Sequence, residues 1–255
     1  VEVERDEEGR IKFHAQDFET ENTLILYFST KDQDKDKDEG YKVVWLEVSL
    51  AKAALIPVAV AAGFSFHHSG TDYLMLTLRL EQGAFIPPYA SHYIGAGGVV
   101  LNDAQELLVV SEKYHRQSGG PPRYKLPGGQ LHEAEHLAEA VVREVREETG
   151  VEAAFDALVC FRHWHGYRHG KSDIYFVCRL HPLSRDITMQ EEEIAECRWM
   201  PVADYLSGEH ISEFNKKIVE AALKSSGVHL TEMDGYAKPE QYEFFMPPDL
   251  DLDQS

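Results

Sequence analysis

Apolar positions along the chain recur at two periods, and the alternation between the periods marks out its elements. Runs rich in Val, Leu, Ile, Phe and Tyr predict strands over residues 23–28, 41–48, 64–68 and 73–80. Between the second and third run, residues 50–62 are mostly alanine and aliphatic. They predict a buried helix, with Ser49 placed to cap it and Gly63 to close it. The order β-β-α-β-β describes a small α+β unit with its own core. Residues 84–92, AFIPPYASH, hold two prolines and no period, which places a linker there. Strand patterning returns over 93–101 and 106–112, with Asn102-Asp103 in the turn, and again over 155–165, 172–181 and 194–200. Helical spacing occupies 136–149, 201–206 and 214–224. Gly95, Gly97 and Gly98 interrupt the first of these strands, a sign that a ligand or another segment comes close. The pattern divides into a first unit over 1–88, a second over 89–230 and a tail over 231–255.

The stretch over 126–151, LPGGQLHEAEHLAEAVVREVREETGV, carries the densest chemistry. Pro127 lacks a donor, and Gly128 and Gly129 permit close backbone approach, so a loop precedes the helix. Ala138, Val141, Val142 and Val145 fall on one side of that helix, and Gly150 stands where a C-terminus favours glycine. Glu144, Glu147 and Glu148 are related by steps of three and four, which predicts that their carboxylates converge on one edge. Three like charges in one turn repel unless a cation intervenes, and oxygen ligands suit Mg²⁺ or Mn²⁺. Arg143 and Glu135 are placed to hold the cluster by ion pairs.

Gly129, five residues, Glu135, seven residues, then Arg143-Glu144-Val145-Arg146-Glu147-Glu148-Thr149-Gly150-Val151 resembles the Nudix box at every specified position. Chance agreement at ordinary residue frequencies is on the order of one in 10⁸, so a merely solvated acidic helix face is the weaker account. The runs WLEV, AAGFSFHHS and DYLMLTLRL resemble the domain that precedes the Nudix domain in a plant and animal subfamily. That likeness continues through SHYIGAGGVV to DITMQEEEIAECRWMPV and covers most of residues 40–206. The resemblance implies an α+β protein, a small pre-Nudix domain followed by an α/β/α Nudix fold with a mixed sheet. It also implies a homodimer and a metal-dependent hydrolase that cleaves the pyrophosphate of a nucleoside diphosphate derivative, ADP-ribose or NADH. In that reading Glu144, Glu147, Glu148 and the Gly129 carbonyl hold the metal, and Arg143 supports the cluster. Glu147 or Glu193 takes the proton of the attacking water, a choice the residues leave open. Neither the proline associated with ADP-ribose pyrophosphatases downstream of the box nor the SQPWPFPxS tract of one NADH-cleaving group is seen, and Tyr167, sixteen residues after Val151, stands near a position where dinucleoside polyphosphate hydrolases carry tyrosine. Dinucleoside polyphosphate hydrolysis is therefore the alternative, together with a silent nucleotide-sensing or partner-binding module.

Charge sharpens this picture. Lys and Arg total 25 against 44 Asp and Glu, a net charge of −19. Such a surface opposes nucleic acid and anionic membranes, so a phosphate-bearing nucleotide must be met by local cations or metal. One arm is basic: Arg162, His163, His165, Arg168, His169 and Lys171 lie within ten residues. Three readings stand for it. It is a zinc site, although no cysteine or carboxylate at metal spacing accompanies His163 and His165. It is an exposed hairpin tip, or it is a cationic arm in which Arg162, His165 and Arg168, with Arg123 and Lys125, meet the substrate's phosphates. Phe66, Tyr89 or Tyr93 would then stack on its base. His67 and His68 are adjacent on a predicted strand, so they should point to opposite faces and make a poor pair of ligands.

Three cysteines with no CxxC pairing suit a reducing, cytoplasmic setting. No run reads as a signal peptide or a membrane span, and Val1 in place of methionine is consistent with trimming. The charged tract over 31–40 and the segment over 114–122 read as solvated loops.

Overall fold

The computed structural model describes residues 42–116 and 121–248 and, before them, the backbone of three strands. The charged tract over 31–40 and the tail beyond 248 lie outside the described residues. The chain divides between Ser91 and His92 into two units.

In the first unit, β1 (Glu2–Arg5) and β2 (Ile11–His14) form an antiparallel pair. The four strands β3 (Ile25–Ser29), β4 (Val43–Ser49), β5 (Ser65–Ser69) and β6 (Tyr73–Arg79) form one antiparallel sheet in the order β3-β4-β6-β5. Along β4 the side chains of Val44, Leu46 and Val48 alternate inward and meet Ala59, Phe64 and Leu76 in the core. The single helix expected over 50–62 is broken. A 3₁₀ stretch, Leu50–Leu55, leads into α1 (Ile56–Ala61), and Ser49 makes no side-chain cap. Pro57 has no N–H to continue a helix from upstream, so it opens a new one in the first turn. The adjacent histidines also depart from expectation. A bulge between Phe66 and His68 turns both rings together, with Nδ1 of His67 and Nδ1 of His68 2.7 Å apart.

The second unit contains β7 (His92–Val100), β8 (Glu106–Glu112), α2 (Lys113–Arg116), β9 (Gly128–Gln130), α3 (Leu137–Thr149), β10 (Ala153–Trp164) and β11 (Ser172–Pro182). They are followed by β12 (Ile194–Pro201), α4 (Val202–Ser207), α5 (Glu213–Lys224), β13 (His229–Leu230) and β14 (Phe245–Met246). The main sheet runs β10-β11-β7-β9 and is mixed, because β7 and β11 are parallel while the other pairs are antiparallel. A second sheet pairs β12 with β8. Strand β7 is buried on both faces, which is why its sequence is apolar without clean alternation. Ala96, Val100, Leu108, Cys178 and Leu180 pack with Val141 and Val145 of α3. Val99, Leu107, Val109 and Val177 pack instead with Tyr205 of α4 and Ile218 and Val219 of α5. Helices thus cover both faces, giving α/β/α layering and an α+β molecule with a mixed sheet.

The glycines of β7 make room for neighbours. A Cβ at Gly97 would lie 1.8 Å from the phenol oxygen of Tyr175, and one at Gly98 would lie 2.9 Å from a methyl of Val145. Among the described residues no helix is long and apolar enough to cross a membrane.

Candidate active site

The site is built where β7, β9 and α3 meet. Gly128 has φ +149°, and a Cβ there would lie 2.2 Å from the Ala96 carbonyl, so the loop can lie against β7 only as glycine. A Cβ on Gly129 would come within 2.6 Å of the Glu144 carboxylate, so the second glycine is what lets that acid reach the loop. Helix α3 ends at Gly150 in the left-handed region, φ 73°, whose N–H donates to the Arg146 carbonyl. Its N-terminus has no cap from its own segment. Instead the Glu243 carboxylate, far along the chain, accepts from the N–H groups of Leu137 and Ala138.

Arg143 organises the outer edge of the box. Its Nε and Nη2 donate to the two oxygens of Glu135 at 2.6 and 2.8 Å, and its Nη1 donates to Glu144 at 2.9 Å and Glu147 at 3.0 Å. This forked pairing holds the Glu135 carboxyl down at about 2. Glu148 lies on the inner edge, its side chain only 9% exposed. Its Oε2 accepts from the Gly128 N–H at 2.9 Å, and Lys125 Nζ stands 4.0 Å from Oε1. Burial pushes its carboxyl up to about 7; Lys125 and the Gly128 N–H oppose the rise, and the charges of Glu144 and Glu112 add to it. Lys125 also pairs with Glu112, so one ammonium stands between two carboxylates.

These groups open into a cavity of about 890 Å³ lying wholly in the second unit. Of the residues singled out from the sequence, Arg123, Lys125, Gly129, Glu144, Glu148, Arg162, Arg168 and Glu193 line it. Arg143, Glu147 and His165 do not. The expected convergence of all three box glutamates on one edge is therefore corrected. A step of four turns a helix about 40° and a step of three about −60°, so Glu148 and Glu147 flank Glu144 on opposite sides. Glu148 turns inward, while Glu147 stays 54% exposed beside Arg143. His165 lies just beyond the end of β10, outside the lining, with its Nδ1 2.9 Å from Ser172 Oγ. Phe66 and Tyr89, the other stacking candidates, belong to the first unit; Tyr93 and Tyr167 line the cavity and meet edge to face at 5.9 Å.

Other lining residues escaped the sequence reading. Arg162 pairs with the buried Asp173, and its guanidinium lies 5.3 to 5.6 Å from the rings of Trp164, Tyr175 and Phe214. Nothing in spacing could join Asp173 or Phe214 to Arg162. Glu112 was within reach, because it ends a strand in which the five residues before it are buried. Arg168 lies over Tyr167 and Lys171 over Tyr93. The cavity therefore has an acidic wall, a basic wall and aromatic rings between them.

The oxygen donors fit a hard divalent cation. Glu112, Glu144 and Glu148 share the cavity with Gly129, and His210 also lines it. Among the described residues no three acidic, His or Cys side chains already converge on a metal-sized point. Lys125 supplies the balancing charge.

Comparison with known proteins shows the family to which the chain belongs. The family description "NUDIX domain" matches residues 91–222, and "Nudix hydrolase domain" matches residues 18–80. Nudix hydrolase 8 of Arabidopsis thaliana is 40% identical over 186 residues, covering 71% of this chain and 50% of that protein. Nudix hydrolase 2 of the same plant is 41% identical over 177 residues, covering 69% and 63%. The nucleoside diphosphate-linked moiety X motif 6 protein of Xenopus laevis is 32% identical over 197 residues, covering 75% and 89%. The chain thus spans between half and just under two thirds of the two plant relatives.

Proposed function

Because the chain belongs to the Nudix family, we propose that it hydrolyses the pyrophosphate linkage of a nucleoside diphosphate derivative, ADP-ribose or NADH, to AMP and a phosphorylated product. One observation carries this reading: a single cavity sets Arg123, Lys125, Arg162 and Arg168 against Glu112, Glu144, Glu148 and Glu193. A pyrophosphate is doubly anionic and repels a nucleophile, so cations must neutralise it while carboxylates manage the water. Arg162 is fixed by Asp173 and by three rings, which presents its guanidinium in one orientation. Tyr93 and Tyr167 offer faces for the base.

Glu144, Glu148 and the Gly129 carbonyl would hold Mg²⁺ or Mn²⁺, with Glu112 beside them. When bound, such a cation lowers the pKa of water and neutralises phosphate oxygens. Of the two candidates for general base, this reading favours Glu193, which lines the cavity while Glu147 does not. In this reading Glu193 takes the proton of the water that attacks phosphorus. The bridging P–O bond breaks, and the proton passes on to the departing phosphate. Arg143 positions Glu144 and Glu147 without touching substrate.

The test is a panel of ADP-ribose, NADH and dinucleoside polyphosphates with Mg²⁺ and product identification. AMP release from the first two is expected, falling by about 10² or more in Glu193→Gln. Full activity in Glu193→Gln with loss in Glu147→Gln would reverse the assignment of the base. Turnover confined to dinucleoside polyphosphates would replace the substrate, and tight binding without turnover would replace the enzyme with a sensor. The homodimer implied by the resemblance and the cytoplasmic setting suggested by the cysteines belong to this same proposal.

A further inference from the structure

Three histidines stand together outside the cavity, and the structure supplies the one that sequence spacing lacked. His163 lies near the end of β10 and His165 just beyond it, with ring centroids 4.4 Å apart. His92, the first residue of β7, reaches them from two strands away, with its Nε2 2.9 Å from Nε2 of His163. The strand between is β11, where Ser172 pairs in register with His92 and Ile174 with His163. Ser172 is small enough to let the imidazoles meet above it, and its hydroxyl lies 2.9 Å from Nδ1 of His165. None of the three histidines lines the cavity.

We infer that His92, His163 and His165 form a binding site for a divalent transition cation of the zinc, nickel and copper class. Two Nε2 atoms at 2.9 Å require one to carry a proton and the other a lone pair aimed at it. A cation that prefers imidazole replaces that proton. Nitrogen ligands about 2.0–2.1 Å from Zn²⁺ in tetrahedral array lie about 3.3 Å apart, so the pair need open only slightly. With Nδ1 of His165 donating to Ser172, its lone pair stays on Nε2, the arrangement in which ligating histidines are held by an acceptor behind them. Among the described residues the three side chains do not already converge on a metal-sized point, so binding requires the imidazoles to rotate toward the cation. The protein's charge of −19 raises the local concentration of any cation. With nitrogen donors only, the site rejects Mg²⁺, which separates it chemically from the carboxylates of the cavity.

Zn²⁺ titrated into the full chain by calorimetry, in excess Mg²⁺, tests this inference independently of the proposed hydrolysis. One equivalent is expected to bind, weakening roughly tenfold or more in His163→Ala and in His92→Gln while Glu148→Gln binds as the wild type does. Folding of the variants is checked by far-ultraviolet circular dichroism, and Cu²⁺ bound to the wild type should show nitrogen hyperfine structure by electron paramagnetic resonance. No binding in excess Mg²⁺, unchanged affinity in both histidine variants, or loss confined to Glu148→Gln would each overturn it.

Discussion

At the scale of single residues, the molecule handles two acids of the box in opposite ways. Arg143 grips Glu135 with two parallel bonds and keeps it ionised down to about pH 2, whereas burial holds Glu148 protonated up to about 7. The Glu135 pair contributes to stability wherever its carboxyl is charged in both folded and unfolded states. Its contribution is complete above the ordinary value of 4.5 and is lost as pH falls toward about 2. Glu135→Gln should therefore lower the melting temperature at pH 6, and the gap to wild type should close steadily between pH 4.5 and pH 2. Thermal melts across that range read it directly, and a gap independent of pH would show that the pair contributes through packing alone. The pairing of Glu135 with Arg143 was legible from spacing because both lie in one segment. The inward turn of Glu148 was not, since steps of three and four look alike until one side of the helix is known to be covered.

At the scale of elements, most strands and helices of the second unit were legible within a residue or two, because their apolar periods are strong and their ends carry turn residues. Strand β8 coincides with the expected run over 106–112. What escaped were features that need a distant partner. The 2.9 Å approach of a Val145 methyl to a Cβ at Gly98 explains a glycine that sequence could only flag as a close approach. The cap of α3 comes from Glu243, 106 residues from Leu137, in a tail that reads as irregular. Its carboxylate satisfies two N–H groups and places negative charge at the positive end of the helix dipole. Glu243→Ala is expected to cost about 1–2 kcal/mol. Urea unfolding should show the midpoint falling with no change in slope. An unchanged midpoint would mean that water caps the helix equally well.

At the scale of the whole molecule, a net charge of −19 surrounds a cavity whose basic wall must receive an anion. Long-range repulsion and short-range attraction are screened over different distances. The Debye length shrinks from about 30 Å at 0.01 M salt to about 8 Å at 0.15 M, which removes the repulsion of the surface before the pull of Lys125 or Arg162 at contact. For the anionic nucleotides proposed as substrates, kcat/KM should therefore rise as salt increases over that interval, measured well below KM. A fall would mean that the basic wall steers encounter from afar. The prolines of 84–92 mark an expected boundary after residue 88 and the structure divides between Ser91 and His92, while the walls of the cavity come from segments that no linear pattern could bring together.

The reach of Glu243 back to α3 ties the box helix to the order of synthesis. A ribosome that has just finished residues 137–149 must still add nearly a hundred more before that carboxylate exists. Until then the first turn of the helix carries open amides. Translation through Glu243, and not merely through the box, completes the element on which the acids are mounted.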